Sequence, residues 1–204
     1  MRIFRATVLN FHTIAVTLTE TNATIPVLHE LIKPLHADNI MILEFYDYEG
    51  CFRHYRESIA DLNQNRLNGK VNIAKPALLL TVMQLIDQRW IRNNHIILTS
   101  EIETLYSDLY HQYDPGSVVT QIYYPFCHLM GDGFWHIRWL EGEKKINSAS
   151  RKFIDDNIDY VFLDDDLWIL LQNPDWRHNL MDFVITEKMN ADQPVYSPAD
   201  LAVR

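Results

Sequence analysis

Residues 123–139 have the sequence YYPFCHLMGDGFWHIRW, which brings together aromatic residues, two histidines, a proline and a Gly-Asp-Gly turn. Two glycines flank Asp132 and predict a turn. From Phe134 to Leu140 the residues alternate in polarity, as they do along a β-strand. The segment therefore predicts an apolar corner that leads into a hairpin, with its large apolar side chains in the core. These side chains are Phe126, Leu129, Phe134 and Trp135.

The composition around this segment is that of a globular protein. The chain has 204 residues, of which 48% are hydrophobic and six are glycine, so it is long enough for one good core or two small ones. The net charge of −9 argues against a uniformly basic nucleic-acid binder but allows a local basic patch. Two cysteines cannot build a disulfide framework. The sequence has no signal-like start and no apolar run of membrane-spanning length, so we expect a cytoplasmic protein without membrane contact.

The pattern of predicted elements divides the chain into three parts. We expect a small α+β extension over residues 1–70, a mainly helical domain with a small antiparallel sheet over residues 71–190, and a loose tail over residues 191–204. The extension begins with two β-branched runs that favour paired strands, followed by a helix at 25–35. The overall fold class predicted is α+β.

Local signals place most helices of the second part. Pro76 suits the first turn of an apolar helix, and Thr99 or Ser100 can cap a helix that reaches Tyr113. Ser148 or Ser150 can begin a short helix. Three further segments complete the prediction: a strand over 118–124, a helix over 164–171 with acidic residues in its first turn, and a last helix capped by Asn173.

Catalytic and metal-binding patterns are weak. Cys127, His128, Asp132 and His136 lie close in sequence, but no Cys-x-x-Cys or His-x-x-x-His spacing supports zinc, so core and hydrogen-bonding roles are favoured. Phosphate-loop, dinucleotide and Gly-x-Ser-x-Gly motifs do not occur, so no catalytic residue, metal ligand or cofactor is predicted.

Two acidic patterns have simpler explanations than metal binding. Asp132 with Glu143 and Lys145 superficially resembles the metal site of a nuclease, yet Glu143 lies in a polar loop, which favours a solvated loop. The aspartates at 164–166 are better explained as helix N-terminal residues that face water than as metal ligands.

Basic residues are concentrated in one stretch, with tryptophans between them. Lysine and arginine neutralise phosphates, and aromatic side chains stack on bases, so this pattern fits nucleic-acid binding, although an ordinary solvated loop with core tryptophans explains it as well. The stretch contains Arg138, Lys144, Lys145, Arg151 and Lys152, with Trp135 and Trp139 interleaved.

From Lys75 onward the chain resembles the N-terminal recognition domain of HNH-type, McrA-like restriction endonucleases, which includes sulfur-recognising domains of phosphorothioate-dependent enzymes. The matching segments are KPALLL at 75–80, YPFCHL at 124–129 and DGFW at 132–135, with a weaker match at 163–174. The match covers about residues 72–190, and the central Pro-Phe…Asp-Gly-Phe-Trp pattern is its most specific part.

This resemblance implies a domain that docks on duplex DNA. In sulfur-recognising members an apolar pocket around a Tyr-Pro pair receives the modified phosphate, which would make Tyr124 and Pro125 its walls and Lys75 a nearby cation. Phosphorothioate sulfur is larger and less hydrated than oxygen, so an apolar wall favours it. His128 departs from the pattern, since it occupies a position where sulfur-recognising members have a small residue.

No HNH motif follows the matched region. The expected function is therefore a DNA-recognition module without catalysis in a restriction or defence system, with duplex DNA as partner and cleavage left to a separate nuclease subunit. Two alternatives remain: an interaction or regulatory module that kept the fold without binding DNA, and a metal-dependent nuclease. The sequence leaves the oligomeric state open.

Overall fold

The computed structural model describes residues 4–10, 13–18, 47–67 and 70–189, and the chain divides into two compact units, residues 1–47 and 48–204. The first unit contains an antiparallel pair, β1 (Phe4–Asn10) and β2 (Thr13–Leu18), with Val8 opposite Ile14. This pairing confirms the two predicted strands, whose β-branched residues suit a pleated backbone. The predicted helix at 25–35 and the predicted loose tail from residue 191 lie outside the described residues.

The second unit is mostly helical, with a small antiparallel sheet, so the predicted α+β class is confirmed. Its elements, in chain order, are α1 (Tyr48–Ala60), β3 (Arg66–Leu67), β4 (Lys70–Val71), α2 (Ala74–Asp87), α3 (Ser100–Tyr113), α4 (Tyr123–His128), a 3-10 turn (Leu129–Asp132), β5 (Trp135–Trp139), α5 (Arg151–Asn157), β6 (Ile158–Leu163), α6 (Asp165–Gln172), α7 (Pro174–Val184) and a turn of π-helix (Ile185–Met189). None of the described helices combines the length and the apolar character needed to cross a bilayer.

Helix α2 is the centre of this unit. It is apolar on every side, as expected for a helix that neighbours surround, and Ala77, Leu78 and Leu80 are fully buried. Helices α3, α4, α6 and α7 all pack against it. Pro76 lies in its first turn, where a missing N–H breaks no intrahelical hydrogen bond.

The sheet pairs β5 with β6, so the strand after the Gly-Asp-Gly turn pairs with a segment that follows it beyond α5, from Trp135 opposite Leu163 to Trp139 opposite Ile158. The predicted hairpin at residues 123–139 is therefore wrong. Gly133 has a φ of 93°, a left-handed conformation that favours glycine, so the turn itself is present as predicted. Ile96 adds an isolated bridge to Val161, with Ile96 N–H donating to the Val161 carbonyl at 2.7 Å.

The strand predicted over residues 118–124 is also wrong, because helix α4 begins at Tyr123. Pro125 explains the difference: it has no N–H to give a β-ladder, but its fixed φ suits the first turn of a helix. Helix α4 packs against the sheet through Trp135, whose Nε1–H donates to the Phe126 carbonyl at 3.0 Å. The four large side chains predicted for the core are buried there.

The predicted helix caps are largely confirmed. Thr99 caps α3, Ser150 caps α5 by accepting from the Phe153 N–H at 3.1 Å, and Asn173 caps α7 with Pro174 in its first turn. Each cap satisfies a backbone donor that the helix itself leaves without a partner.

Candidate nucleic-acid interface

Lys75 is held by an internal ion pair. It is the second residue of α2, and its Nζ donates to Asp132 Oδ2 at 2.5 Å, while the Asn63 N–H donates to Asp132 Oδ1 at 3.0 Å. The Lys75 and Asp132 side chains are only 15% and 5% exposed. A phosphate at this position has to compete with a carboxylate that is already bound, and breaking such a buried pair is costly.

Helix α4 presents two stacked rings to solvent. Tyr124 and His128 lie one turn apart, with ring centroids 6.4 Å apart and planes inclined by 16°. Both side chains are exposed, whereas Pro125 between them is buried. The resemblance implies that Tyr124 and Pro125 form the pocket walls. In the structure only Tyr124 of this pair lies at the surface, and its neighbour at the surface is His128.

Cys127 belongs to the same helix and, unlike Tyr124 and His128, is fully buried. Burial raises the pKa of its thiol to about 12. At neutral pH this group is a thiol rather than a thiolate, so it is suited to packing and not to metal binding or nucleophilic attack.

The five cations of the basic stretch fall into two groups. Arg151 on α5 pairs with Glu103 at 3.0 Å and with Asp155 at 2.9 Å, and Lys152 pairs with Asp156 at 2.7 Å. Their charges are balanced by carboxylates on the protein itself.

The second group has a different environment. Arg138 on β5 and Lys144 and Lys145 in the loop that follows are exposed, and none of the three forms an ion pair within the described part of the chain. These cations can therefore approach a phosphate without first leaving a carboxylate.

The residues considered for a metal-dependent nuclease have separate surroundings. Asp132 uses both carboxylate oxygens for internal hydrogen bonds, while Glu143 and Lys145 are exposed loop residues. Among residues 4–10, 13–18, 47–67 and 70–189, no three His, Cys, Asp or Glu side chains form a group that could hold a metal ion.

A hydrogen-bond network around Asp164 was missed by the sequence reasoning. Asp164 precedes α6, accepts from the Tyr55 hydroxyl at 3.0 Å and contacts His136 Nε2 at 2.5 Å. Burial, followed by the nearby Asp164 carboxylate, raises the pKa of Tyr55. The expectation that Asp164 only faces water is wrong, while Asp165 and Asp166 are exposed as expected.

A shallow groove of about 470 Å³ lies between α1 and the end of α7. The Arg56 guanidinium stacks 4.9 Å from the centre of the Phe183 ring in this groove, and the Lys188 ammonium donates to the Ala60 carbonyl at 2.6 Å. Burial lowers the pKa of Lys188. The sequence did not predict this groove, because the residues that line it come from two helical segments more than 120 positions apart. The other lining residues are Arg53, Glu57 and Glu187.

No protein-family model matches the sequence, and a comparison with curated proteins gives no match. The structure, however, defines a fold class, a mainly helical α+β domain with a small sheet, that is found in solved structures. One of these is the sulfur-binding domain of ScoMcrA complexed with phosphorothioated DNA. The two structures align with a TM-score of 0.52 over 72% of this chain and 93% of that chain, with 17% identical residues. The resemblance to McrA-like recognition domains is thereby confirmed at the level of the fold.

Proposed function

We propose that this protein binds duplex DNA as a recognition module, without a catalytic step of its own. The observation that carries the proposal is the fold: the alignment spans 93% of a domain solved with phosphorothioated DNA. Because 17% identity supports the fold alone, the contact surface has to be argued from this chain's own residues.

The proposed contact surface combines cations with exposed rings. Arg138, Lys144 and Lys145 neutralise phosphates, and this local positive charge is required because the whole chain carries a net charge of −9. The stacked rings of Tyr124 and His128 provide a flat, weakly hydrated wall against the DNA backbone. The phosphate contacts fix the position of the module on the duplex.

Three further cations are expected to contribute less to DNA affinity: Lys75, Arg151 and Lys152. Each already contacts a carboxylate, so a phosphate gains little net attraction from it unless that ion pair opens. Lys75, the cation that the resemblance puts near the pocket, acts mainly through Asp132, and Pro125 is buried beside Tyr124 in the sequence.

We further propose that a phosphorothioate linkage binds more tightly than an ordinary phosphate. Sulfur is less hydrated than oxygen and is desolvated at lower cost, so an aromatic wall favours it. Tyr124 is 46% exposed, and we expect its ring to contact the sulfur atom.

Fluorescence anisotropy with plain and phosphorothioate duplexes of one sequence tests both statements. With three available cations, the logarithm of the binding constant is expected to fall with the logarithm of salt concentration with a slope of about −3. Lys144→Ala and Lys145→Ala should each reduce the magnitude of this slope by about 0.9. Tyr124→Ala should abolish the preference for phosphorothioate.

Lys70→Ala is the matched control, because Lys70 is an exposed lysine that already pairs with Asp114 at 3.1 Å. It should leave the salt dependence unchanged. Failure of the unmodified chain to bind either duplex at low salt would refute the proposed function, and equal affinity for the two duplexes would refute the preference for sulfur.

A further inference from the structure

The sheet has one buried face and one face that carries rings. Side chains alternate along paired strands, so Trp135 and Leu163 are buried on one side. The opposite side places His136 across from Phe162, and two residues further along Arg138 lies across from Tyr160. We call the set formed by His136, Arg138, Tyr160, Phe162 and the adjoining His95 the ring face.

The rings of this face form a continuous series. His95 stacks on Tyr160 with centroids 3.9 Å apart and planes inclined by 22°. Tyr160 contacts Phe162 edge to face at 6.1 Å, and Phe162 contacts His136 at 5.1 Å. His95 is exposed, while Tyr160, Phe162 and His136 are half-buried. The series therefore ends in the solvent-exposed ring of His95, which itself stacks face to face on Tyr160.

The ring face is held in place before any ligand arrives. His136 contacts Asp164, whose other oxygen accepts from the buried Tyr55 hydroxyl. The Asn94 side chain exchanges two hydrogen bonds with the backbone of Leu163, at 2.8 and 2.9 Å, which fixes the loop next to His95. Such preorganisation lowers the entropy cost of binding.

Arg138 gives the ring face its charge. It is exposed and, within the described residues, is in no ion pair, while the carboxylate of Asp164, which contacts His136, is engaged by His136 and Tyr55. Flat rings beside an available guanidinium match a ligand that has both flat rings and anionic groups. An acidic peptide without aromatic residues supplies the charge but not the rings.

We propose that the ring face binds unpaired nucleotides of single-stranded nucleic acid, with bases stacked against the rings and a phosphate on Arg138. This goes beyond duplex recognition, because the bases of a duplex are stacked on one another and cannot reach such a surface. Base stacking on aromatic side chains contributes strongly and tolerates any base sequence.

The first test uses the full chain and two labelled single strands of about twelve nucleotides, one of oligothymidylate and one with abasic sites throughout. Both carry the same phosphate charge, so only stacking distinguishes them. We expect the abasic strand to bind at least tenfold more weakly, within the range typical of base stacking. Equal affinities, or no binding of oligothymidylate at low salt, would overturn the proposal.

The second test uses variants of the rings. His95→Ala and Phe162→Leu should weaken oligothymidylate binding at least fivefold and leave plain duplex binding within twofold. His111→Ala is the control for an exposed histidine elsewhere, on α3, and should have no effect. An effect of His95→Ala no larger than that of His111→Ala would also overturn the proposal. Tyr124→Ala should leave oligothymidylate binding intact, so loss of the duplex function alone leaves this inference standing.

Discussion

Arg177 is a charged residue in the interior of the second unit, and its partner makes that possible. The side chain is 6% exposed, donates to the Leu171 carbonyl at 2.6 Å and binds Asp87 through two nitrogens. These hydrogen bonds hold the pKa of Asp87 below its usual range. A buried guanidinium of this kind is stable only while its carboxylate remains ionised.

Replacement of Asp87 by Asn should therefore lower the free energy of unfolding by about 1–2 kcal/mol at pH 7, less than for a fully buried pair because Asp87 is partly exposed. A depressed folded-state pKa stabilises the protein above the unfolded-state pKa, about 3.9 for Asp, and this contribution disappears as pH falls through the folded-state value. Urea unfolding between pH 7 and pH 2.5 should show the difference between wild type and Asp87→Asn shrinking below about pH 4.

Asp156→Asn is the control for this measurement, since it removes an aspartate from an exposed pair with Lys152. It should cause no measurable loss at any pH in the series. A constant offset between wild type and Asp87→Asn down to the lowest pH would show that the ionised form of Asp87 is not what stabilises Arg177.

Single residues also show where sequence reasoning reached its limit. His136 lies on the strand predicted from Phe134 to Leu140 and is half-buried, in keeping with the core or hydrogen-bonding role favoured for it. Its contact with Asp164 and the contact of Lys75 with Asp132 join residues 28 and 57 positions apart, and no local pattern encodes such pairs. The charges of these residues are visible in the sequence, but their partners depend on tertiary packing.

Helix beginnings were the most predictable elements, because a cap acts within three or four residues. Asn173 was identified from its residue type and position, and Thr99 and Ser150 were each identified as one of two alternatives. The strand predicted at 118–124 is wrong because Pro125 favours the first turn of a helix over the strand that the β-branched residues favour, and because a strand needs a distant partner. The hairpin failed for the same reason, since the partner of β5 lies beyond α5.

The cap of α5 offers a direct test at this scale. Ser150→Ala should lower the free energy of unfolding by about 1 kcal/mol, because the Phe153 N–H loses its acceptor in a helix of only seven residues. Ser148→Ala is the matched control, as this serine is exposed and makes no hydrogen bond to the described residues. Urea unfolding of both variants measures the difference, and equal effects would contradict the assignment of Ser150 as the cap.

At the scale of the whole molecule, the open question is where the second unit begins. The sequence suggested residue 71, and this boundary stays a prediction. The contacts within the chain divide it between Asp47 and Tyr48, with α1 packed against α6 and α7. In α1, Tyr55 and Ile59 are 2% and 1% exposed, so this helix supplies part of the core.

Two truncated chains distinguish these boundaries. A fragment of residues 48–204 should melt within about 3 °C of the full chain, whereas residues 71–204 should lose about 10 °C or fail to fold. The reason is that exposing the sites of Tyr55 and Ile59 costs about 2–3 kcal/mol each, and 1 kcal/mol shifts the melting temperature by about 2–4 °C at this size. Circular dichroism melting measures both, and equal melting of the two fragments would make residue 71 the boundary.

The buried thiol of helix α4 affects how the protein responds to its chemical surroundings. Because burial raises the pKa of the Cys127 thiol to about 12, very little of it is ionised at pH 7. The ionised thiolate is the form that attacks peroxides and disulfides, and the Cys127 side chain is in addition enclosed by the core. Oxidative stress should therefore leave Cys127 unmodified, so that the surface formed by Tyr124 and His128 of the same helix keeps its shape in oxidising and reducing conditions alike.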